Sequence, residues 1–320
     1  MVNDEKRMTT NTDAVVGTLH DATAILGDPA ALCTAFGRDG YLFLRGVLDL
    51  DLVRSIALRV TGRLAVLGLG VEGPCGLTWS GTGPDAAELR ALNSDPIIST
   101  LATVPPTVAL LDRVFGEPAY VYPRTLLRYC FPADDEYLTA PHQDTFSLRQ
   151  GNWFVTLWMP LSAIGFDGGP LAVQGASHRL GLLPHEKRHD RFSYLAKGRC
   201  QRMVSCEFLS GPWLTAAFRP GDLLMMHADL VHCSLLNLSP FVRLALSALA
   251  QPAALPLLWA VSETPQAMAA YASEVMRLSL ALGADEDSAE EVLIKMMARG
   301  APAEESIVKT LIADTLSRNR

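Results

Sequence analysis

"FVRLALSALAQ", residues 241–251, alternates: Phe241, Arg243, Ala245 and Ser247 fall on one side of an extended chain, and Val242, Leu244, Leu246 and Ala248 on the other. This period of two predicts a β-strand, and a lone guanidinium within it is the anomaly to explain. Similar short runs lie between Gly/Pro turns: "YVYPRTLLRYCF" from Tyr120, "WFVTLWMPL" from Trp153, "GPLAVQG" from Gly169 and "WLTAAFRPGDLLMMH" from Trp213. Regularly spaced short strands predict an all-β sandwich or barrel over about residues 120–250.

Helical patterns flank this region. "DPAALCTAFGRDG" reads as a helix with Asp28 as cap and Pro29 at its first position. "YLFLRGVL" follows as a strand, and Leu52, Val53, Ile56, Val60 and Leu64 then repeat at helical spacing. Beyond the barrel, Thr264-Pro265 opens a helix that Gly283 closes. Asp287 or Ser288 opens a second that ends near Gly300, and Pro302 begins a third. Their apolar positions, among them Val275, Leu278, Leu282, Val292, Ile294, Met296, Ile307, Leu311 and Leu316, are expected to pack on the barrel or on a partner subunit, which allows a homodimer. The organisation expected is a domain over residues 1–260 and a helical extension over 261–320.

Of 320 residues, 49% are hydrophobic and 19% charged, enough for a sizeable core. The net charge of −7, with no dense Lys/Arg block, argues against nucleic acid and against a polybasic membrane contact, leaving a small-molecule partner. The polar start "MVNDEKRMTTNTDAV" carries no signal-peptide core, and Pro252 and Pro256 break the most apolar later run. Six cysteines without a C-x-x-C pair fit a reducing cytoplasm.

The stretch "TAPHQDTFSL", residues 139–148, sets His142 and Asp144 one residue apart. On an extended strand the two face the same side and can meet at one metal ion. A mutual hydrogen bond is the ordinary alternative for such a pair. Two distant histidines compete as third ligand. "GDLLMMHADLVHCS" offers His227, with a second His-x-Asp in His227-Ala228-Asp229, and His232. If the strand continues, His227 and His232 lie on opposite faces, so a site of His227, Asp229 and His232 needs a bulge or turn. Arg243 favours pairing His142 with His232: a buried guanidinium requires an anion, and its planar fork suits a carboxylate. A salt bridge within the fold is the competing explanation.

These motifs, in this order, resemble the phytanoyl-CoA dioxygenase-like branch of the Fe(II)/2-oxoglutarate-dependent oxygenases over roughly residues 30–250. His142-Gln143-Asp144 resembles the family's HxD, and Trp158 with Pro160-Leu161 the strand that follows. "GGPLAVQGASH", residues 168–178, resembles its Gly-Gly-x-Leu and Pro-Gly-Ser-His turn, with Gly175-Ala176 where Pro-Gly is usual. "RPGDLLMMHADLVHCSLLNLSPFVR", residues 219–243, resembles the segment carrying the distal His, a Ser, an Asn and the cosubstrate Arg. His232 follows His142 by 90 positions and Arg243 follows His232 by 11, in keeping with that family.

The resemblance implies a mainly β fold with flanking helices, a double-stranded β-helix of jelly-roll or cupin-like type. It implies Fe(II) on His142, Asp144 and His232, with 2-oxoglutarate and O2 at the remaining positions. Arg243 would clamp the distal carboxylate of 2-oxoglutarate, with Gln143, Trp158 and Ser234 as lesser contacts; Arg128, on a strand leading toward the triad, is expected to touch 2-oxoglutarate or substrate. Tyr129 shares the strand of Arg128. The implied reaction is oxidation, most often hydroxylation, of a small organic or natural-product substrate of specialised metabolism, with decarboxylation of 2-oxoglutarate to succinate. Retention of Asp144 argues against halogenation. A cupin-like isomerase or hydrolase using the triad without 2-oxoglutarate is the alternative.

The loop "TFSLRQGNW", residues 145–153, is expected to border the substrate through Arg149, Gln150 and Trp153. The Gly-rich segment 68–95, with "GPCGLTWSGTGPD", reads as a mobile loop able to cover the pocket. His178 is expected to be structural, His185 and His189 to lie in a solvated loop, and His20 on a surface helix.

Overall fold

Two β-sheets face one another in a computed structural model that describes residues 15–73, 76–81, 91–93, 95–133, 138–148, 153–187, 202–255, 265–285, 288–289, 292–293, 296 and 305–318. The elements of the first half are β1 (Val15–Thr18), α1 (Pro29–Asp39), β2 (Tyr41–Leu44), α2 (Leu50–Val66), β3 (Gly70–Gly73), β4 (Gly76–Trp79), α3 (Ile97–Thr103), α4 (Pro105–Phe115), β5 (Ala119–Val121) and β6 (Leu126–Cys130). Then follow α5 (Asp144–Leu148), β7 (Val155–Pro160), β8 (Leu171–Gln174), β9 (His185–Lys187), β10 (Arg202–Val204), β11 (Trp213–Thr215), β12 (Leu223–His227), β13 (His232–Ser234), β14 (Arg243–Pro252), α6 (Pro265–Ala281) and α7 (Glu305–Arg318).

The larger sheet runs β2-β12-β7-β14-β5, with β6 also on β14, and the smaller runs β1-β11-β8-β13. Sheet pairing therefore reaches outside residues 120–250, because β2 lies antiparallel on β12 and β1 parallel on β11. Between the sheets, Tyr41, Phe43, Trp158, Leu224 and Ala245 of the larger share one apolar cluster with Leu171 and Val173 of the smaller. The opposite face of the larger sheet, with Leu42, Leu157, Met159, Leu244 and Leu246, packs on Leu32, Ile56, Leu101 and Leu111 of the N-terminal helices. Each such fully buried leucine or isoleucine contributes roughly 1.5–3 kcal/mol. The alternation of β14 now has its cause: the Leu244 and Leu246 side meets helices, while Arg243, Ala245 and Ser247 face the interior.

The helices begin where their caps require. Asp28 accepts from Ala31 N at 3.1 Å to start α1, and Asp49 accepts from Asp51 and Leu52 N at 3.0 and 2.9 Å to start α2. Among the described residues no single helix is long and apolar enough to cross a membrane. The bent pair α3 and α4 approaches that composition, but its Ile98, Leu101 and Leu111 belong to the core.

Part of the Gly-rich segment is not a loop. β3 and β4 form a hairpin, Leu77 is buried, and Trp79 N and Val242 N donate to Pro240 O and Leu77 O at 3.1 and 2.8 Å. His20 lies exposed before α1 rather than on a helix.

Contacts divide the chain into two compact units, Met1–Gln143 with Trp153–Ala253, and Asp144–Asn152 with Ala254–Arg320. Within the second, Val275, Val292, Met296, Val308 and Leu311 form a core of their own. Of the apolar positions read from the sequence, Val275, Val292, Met296 and Leu311 share this core, and Leu278, Leu282 and Ile307 pack against it. Asp285 accepts from Ser288 N at 2.7 Å there, so Ser288 lies inside the helical turn; Asp287 lies outside the described residues.

The Gly175-Ala176 turn carries a detectable strain. Ala176 sits at φ 62°, in the left-handed region, where its Cβ is disfavoured by roughly 1–2 kcal/mol. Its N–H donates to Asp39 O at 3.0 Å, which ties the turn to the end of α1. Ala176→Gly is expected to raise stability by about 1 kcal/mol after the larger unfolded-state entropy of glycine is offset. Thermal unfolding should show a rise of roughly 2–4 °C.

Candidate active site

His142 and His232 form an isolated antiparallel bridge. His142 N donates to His232 O at 3.0 Å and His232 N to His142 O at 3.1 Å, bringing the imidazole centroids to 4.2 Å. Each ring is oriented the same way from behind: Nδ1 of His142 lies 2.8 Å from Ala140 O, and Nδ1 of His232 lies 2.9 Å from Leu230 O. A carbonyl at Nδ1 makes that nitrogen the N–H donor and leaves Nε2 with its lone pair for a metal.

Asp144 follows on the first turn of α5, so the chain leaves extended geometry just after His142 instead of continuing as a strand. Ligand atoms of His142, Asp144 and His232 nevertheless lie within 4.8 Å of one another, a spacing that suits one ion. Two imidazoles and a carboxylate form the facial set that holds Fe(II) with positions left open.

The competing histidine goes elsewhere. β12 ends at His227, the chain turns through 228–231, and β13 begins in the other sheet at His232. The strand does not continue as the parity reading supposed. His227 instead lies beside Phe36 and His178, at centroid distances of 6.0 and 5.1 Å, and burial lowers its pKa. His178 stacks where a Cβ on Gly40 would stand, and its Nε2 lies 3.2 Å from Gly37 O, a structural place.

Two residues beyond His232, on the same face of β13, Ser234 Oγ accepts from Arg243 Nη2 at 3.2 Å. Trp158 completes this group, its ring 5.9 Å from the guanidinium carbon. Arg243 is only 5% exposed, forms no salt bridge among the described residues, and its Nε is buried without a partner. A desolvated cation with an open donor is the complement of a carboxylate. His232 and Ser234 are two residues apart, about 7 Å along a strand, so a metal and an anion clamp stand within reach of one short diacid.

Arg128 pairs in register with Ala245, which puts it on the interior face that bears Arg243. Arg124 was not singled out from the sequence. Partial desolvation, then the charge of Arg128, lowers its guanidinium pKa, so two cations sit close together. Tyr129 points to the other face and packs on Phe131, away from the interior.

Several expectations need correction. Gln143 does not face the cosubstrate: it is fully buried, and its amide bonds to the backbone at Gly181, Asp229 and Leu183. His185 is not in a solvated loop but on β9, where Nε2 accepts from Gln143 N at 3.3 Å, because β9 and β10 form a hairpin. Cys233, beside His232, faces a separate cluster with Leu183 and Val204. Burial there pushes its thiol up to about 12. Trp153 is half-buried just before β7. Arg149, Gln150 and His189 lie outside the described residues.

Comparison with known proteins agrees with this geometry. Residues 36–245 match the family model described as phytanoyl-CoA dioxygenase (PhyH). The chain is 32% identical over 226 residues to 1-deoxypentalenic acid 11-beta-hydroxylase of Streptomyces arenae, covering 68% of this chain and 78% of that protein. It is 31% identical over 227 residues to the enzyme of the same name from Streptomyces exfoliatus, with the same coverage of 68% and 78%. Among solved structures, the non-heme monooxygenase ThoJ in its apo form superposes with a TM-score of 0.50 at 16% identity, over 90% of this chain and 100% of that one, a likeness of fold. By family match and by identity alike, the chain belongs to the phytanoyl-CoA dioxygenase family of Fe(II)/2-oxoglutarate-dependent oxygenases.

Proposed function

We propose that His142, Asp144 and His232 hold the Fe(II), and that Arg243, with Ser234, Trp158 and Arg128, holds the distal carboxylate of 2-oxoglutarate. The chain is a dioxygenase that oxidises a small organic substrate while 2-oxoglutarate is decarboxylated to succinate and CO2. The observation that carries the residue assignment is Arg243, a buried guanidinium with an unpartnered Nε beside a three-ligand metal set. Family membership removes the reason for the isomerase or hydrolase alternative.

The donor set and the unanswered cation both fit the two groups. Bound together, Fe(II) and 2-oxoglutarate supply the activation of dioxygen that these side chains cannot perform. The chain itself binds and orients. The carbonyls of Ala140 and Leu230 hold each imidazole in the tautomer that ligates, and Arg243 fixes which end of a diacid lies away from the metal. Apolar walls from Trp158, Phe218 and Leu224 keep water from this face.

The two facing sheets are read as a double-stranded β-helix, with α1–α4 on the outer face of the larger sheet and residues 261–320 as a helical extension. Hydroxylation is the favoured outcome, supported by the hydroxylase relatives. The juxtaposition of Arg124 and Arg128, together with the acid named as substrate of those relatives, supports a small organic acid of specialised metabolism. Trp153, with Arg149 and Gln150, is assigned to the substrate side. A cytoplasmic enzyme working without nucleic acid or membrane is supported by the acidic charge and by cysteines that form no C-x-x-C pair in the sequence. Homodimerisation through the C-terminal helices has exposed Leu280 as its apolar contact.

Anaerobic addition of Fe(II) and 2-oxoglutarate tests the assignment through the weak visible band of a chelated keto acid. His232→Ala should abolish metal binding and the band, whereas His227→Ala should leave the metal affinity within about twofold of wild type. The reverse pattern would move the site to the second His-x-Asp.

Arg243→Met should weaken 2-oxoglutarate binding roughly 30-fold or more, the loss expected when a buried charge pair loses a partner. Without 2-oxoglutarate it should unfold at the same or a higher temperature, since an apolar isostere removes an uncompensated charge. A variant that binds 2-oxoglutarate normally would refute the clamp.

A further inference from the structure

Gln143 lies between two residues that meet the metal, yet it has no exposed surface. Its Nε2 donates to Gly181 O at 2.8 Å and to Asp229 O at 2.7 Å, while its Oε1 accepts from Leu183 N at 2.8 Å. Two donors meet two carbonyls and one acceptor meets one N–H, so the orientation of the amide is dictated by its partners. The three partners lie on two segments. Gly181 and Leu183 precede β9, and Asp229 belongs to the turn that delivers His232. The backbone joins in, with Gln143 N on His185 Nε2 at 3.3 Å and Val204 N on Pro141 O at 2.9 Å.

We infer that Gln143 is the positioning residue of the metal centre: its amide locks the His142 segment, the turn ahead of His232 and the β9–β10 hairpin into one register, and so sets the affinity for the metal without touching metal or cosubstrate. The inference rests on the metal-site reading given above. Its chemical content is narrow. A carboxylamide alone among side chains of this length presents two donors and an acceptor in one plane. A carboxylate in its place sets an anion against two carbonyl oxygens. A thioether fills the same volume and makes none of the three bonds. The bond to Asp229 O matters most for the ligands. It fixes the chain one residue before Leu230, whose carbonyl orients the ring of His232. Partners that orient ligands in this way typically change metal affinity by roughly 10–100-fold when removed.

The test is a titration of the 320-residue apoprotein with Co(II), an oxygen-stable probe, followed by its visible absorption and by calorimetry, alongside thermal unfolding without metal. Gln143→Met and Gln143→Glu are the informative variants, with Gln143→Ala as the truncation. Expected is a Co(II) affinity lower by roughly 10–100-fold in Gln143→Met and lower still in Gln143→Glu, with an altered Co(II) spectrum. A residue that only fills space would leave Gln143→Met like wild type, which would overturn the inference. Intact Co(II) affinity with lost 2-oxoglutarate affinity would overturn it too, returning Gln143 to the cosubstrate. So would failure of all three variants to fold, since the amide would then serve the fold as a whole. His232→Ala separates the two levels. If it binds Co(II) normally, the metal-site reading itself fails. If it does not bind while the Gln143 variants do, only this inference fails.

Discussion

Everything at the site depends on one pair of backbone hydrogen bonds, those exchanged between His142 and His232. They join chain segments ninety positions apart, and Ser234 N donates to Thr139 O at 3.0 Å beside them. Because the pairing is of the hydrogen-bonded antiparallel kind, the two Cβ atoms leave the same face at a set spacing, about 5.5 Å between Cα atoms. The carbonyls of Ala140 and Leu230 then act alike on the two rings. Each lies two residues ahead of the histidine it orients, so one local device, used twice, aims both imidazoles at one point.

The second constraint is electrostatic. A guanidinium in the interior is tolerated only if an anion answers it or if its donors are satisfied, and among the described residues Arg243 donates to Ser234 while its Nε is left open. Position on β14 makes the charge unavoidable, since residue 243 faces inward together with Ala245 and Ser247. Those two are small, in contrast to the leucines of the other face. The strand packs its leucines on the helices and presents Arg243 on the inner face, where Ser234 and Trp158 flank the guanidinium. The preorganisation resides in the alternation of the sequence.

That alternation is also why part of the architecture was legible. Period two marked β12 and β14, short apolar runs between Gly/Pro turns marked β7 and β8, and the inward Arg243 pointed to an anion and, through it, to His232 over His227. The parity rule used to separate those histidines depended on a strand continuing past His227, whereas the chain crosses to the other sheet there. Long-range pairing left no local trace: nothing in "YLFLRGVL" says that it will lie on β12, nor does any pattern near Val15 announce β1 beside β11. The roles of His185 and Gln143 were hidden for the same reason, because their partners are backbone groups, which carry no residue identity. Gln143 could have been placed by a rule already in hand: if His142 points toward a metal from extended chain, its neighbour points away.

The residues beside His142 and His232 show how the proposed metal centre is held. Gln143 is fully buried, and Cys233, 3% exposed, packs among Leu183, Val204 and Val231. Both neighbours are anchored on the far side of their segments, one by hydrogen bonds and the other by apolar contact. An unanchored ligand pair would lose backbone freedom, about 1–2 kcal/mol per residue, at the moment of metal binding. Here folding has already met that loss, so the two imidazoles stand in place before any ion arrives. The two anchors differ in what they specify. Apolar packing around Cys233 tolerates small shifts, because dispersion falls off gradually with distance. The amide of Gln143 does not, because three bonds of 2.7–2.8 Å admit one arrangement of three backbone groups. The precision of the site therefore enters on the His142 side and reaches His232 through Asp229, which makes the residue between the ligands a determinant of their geometry.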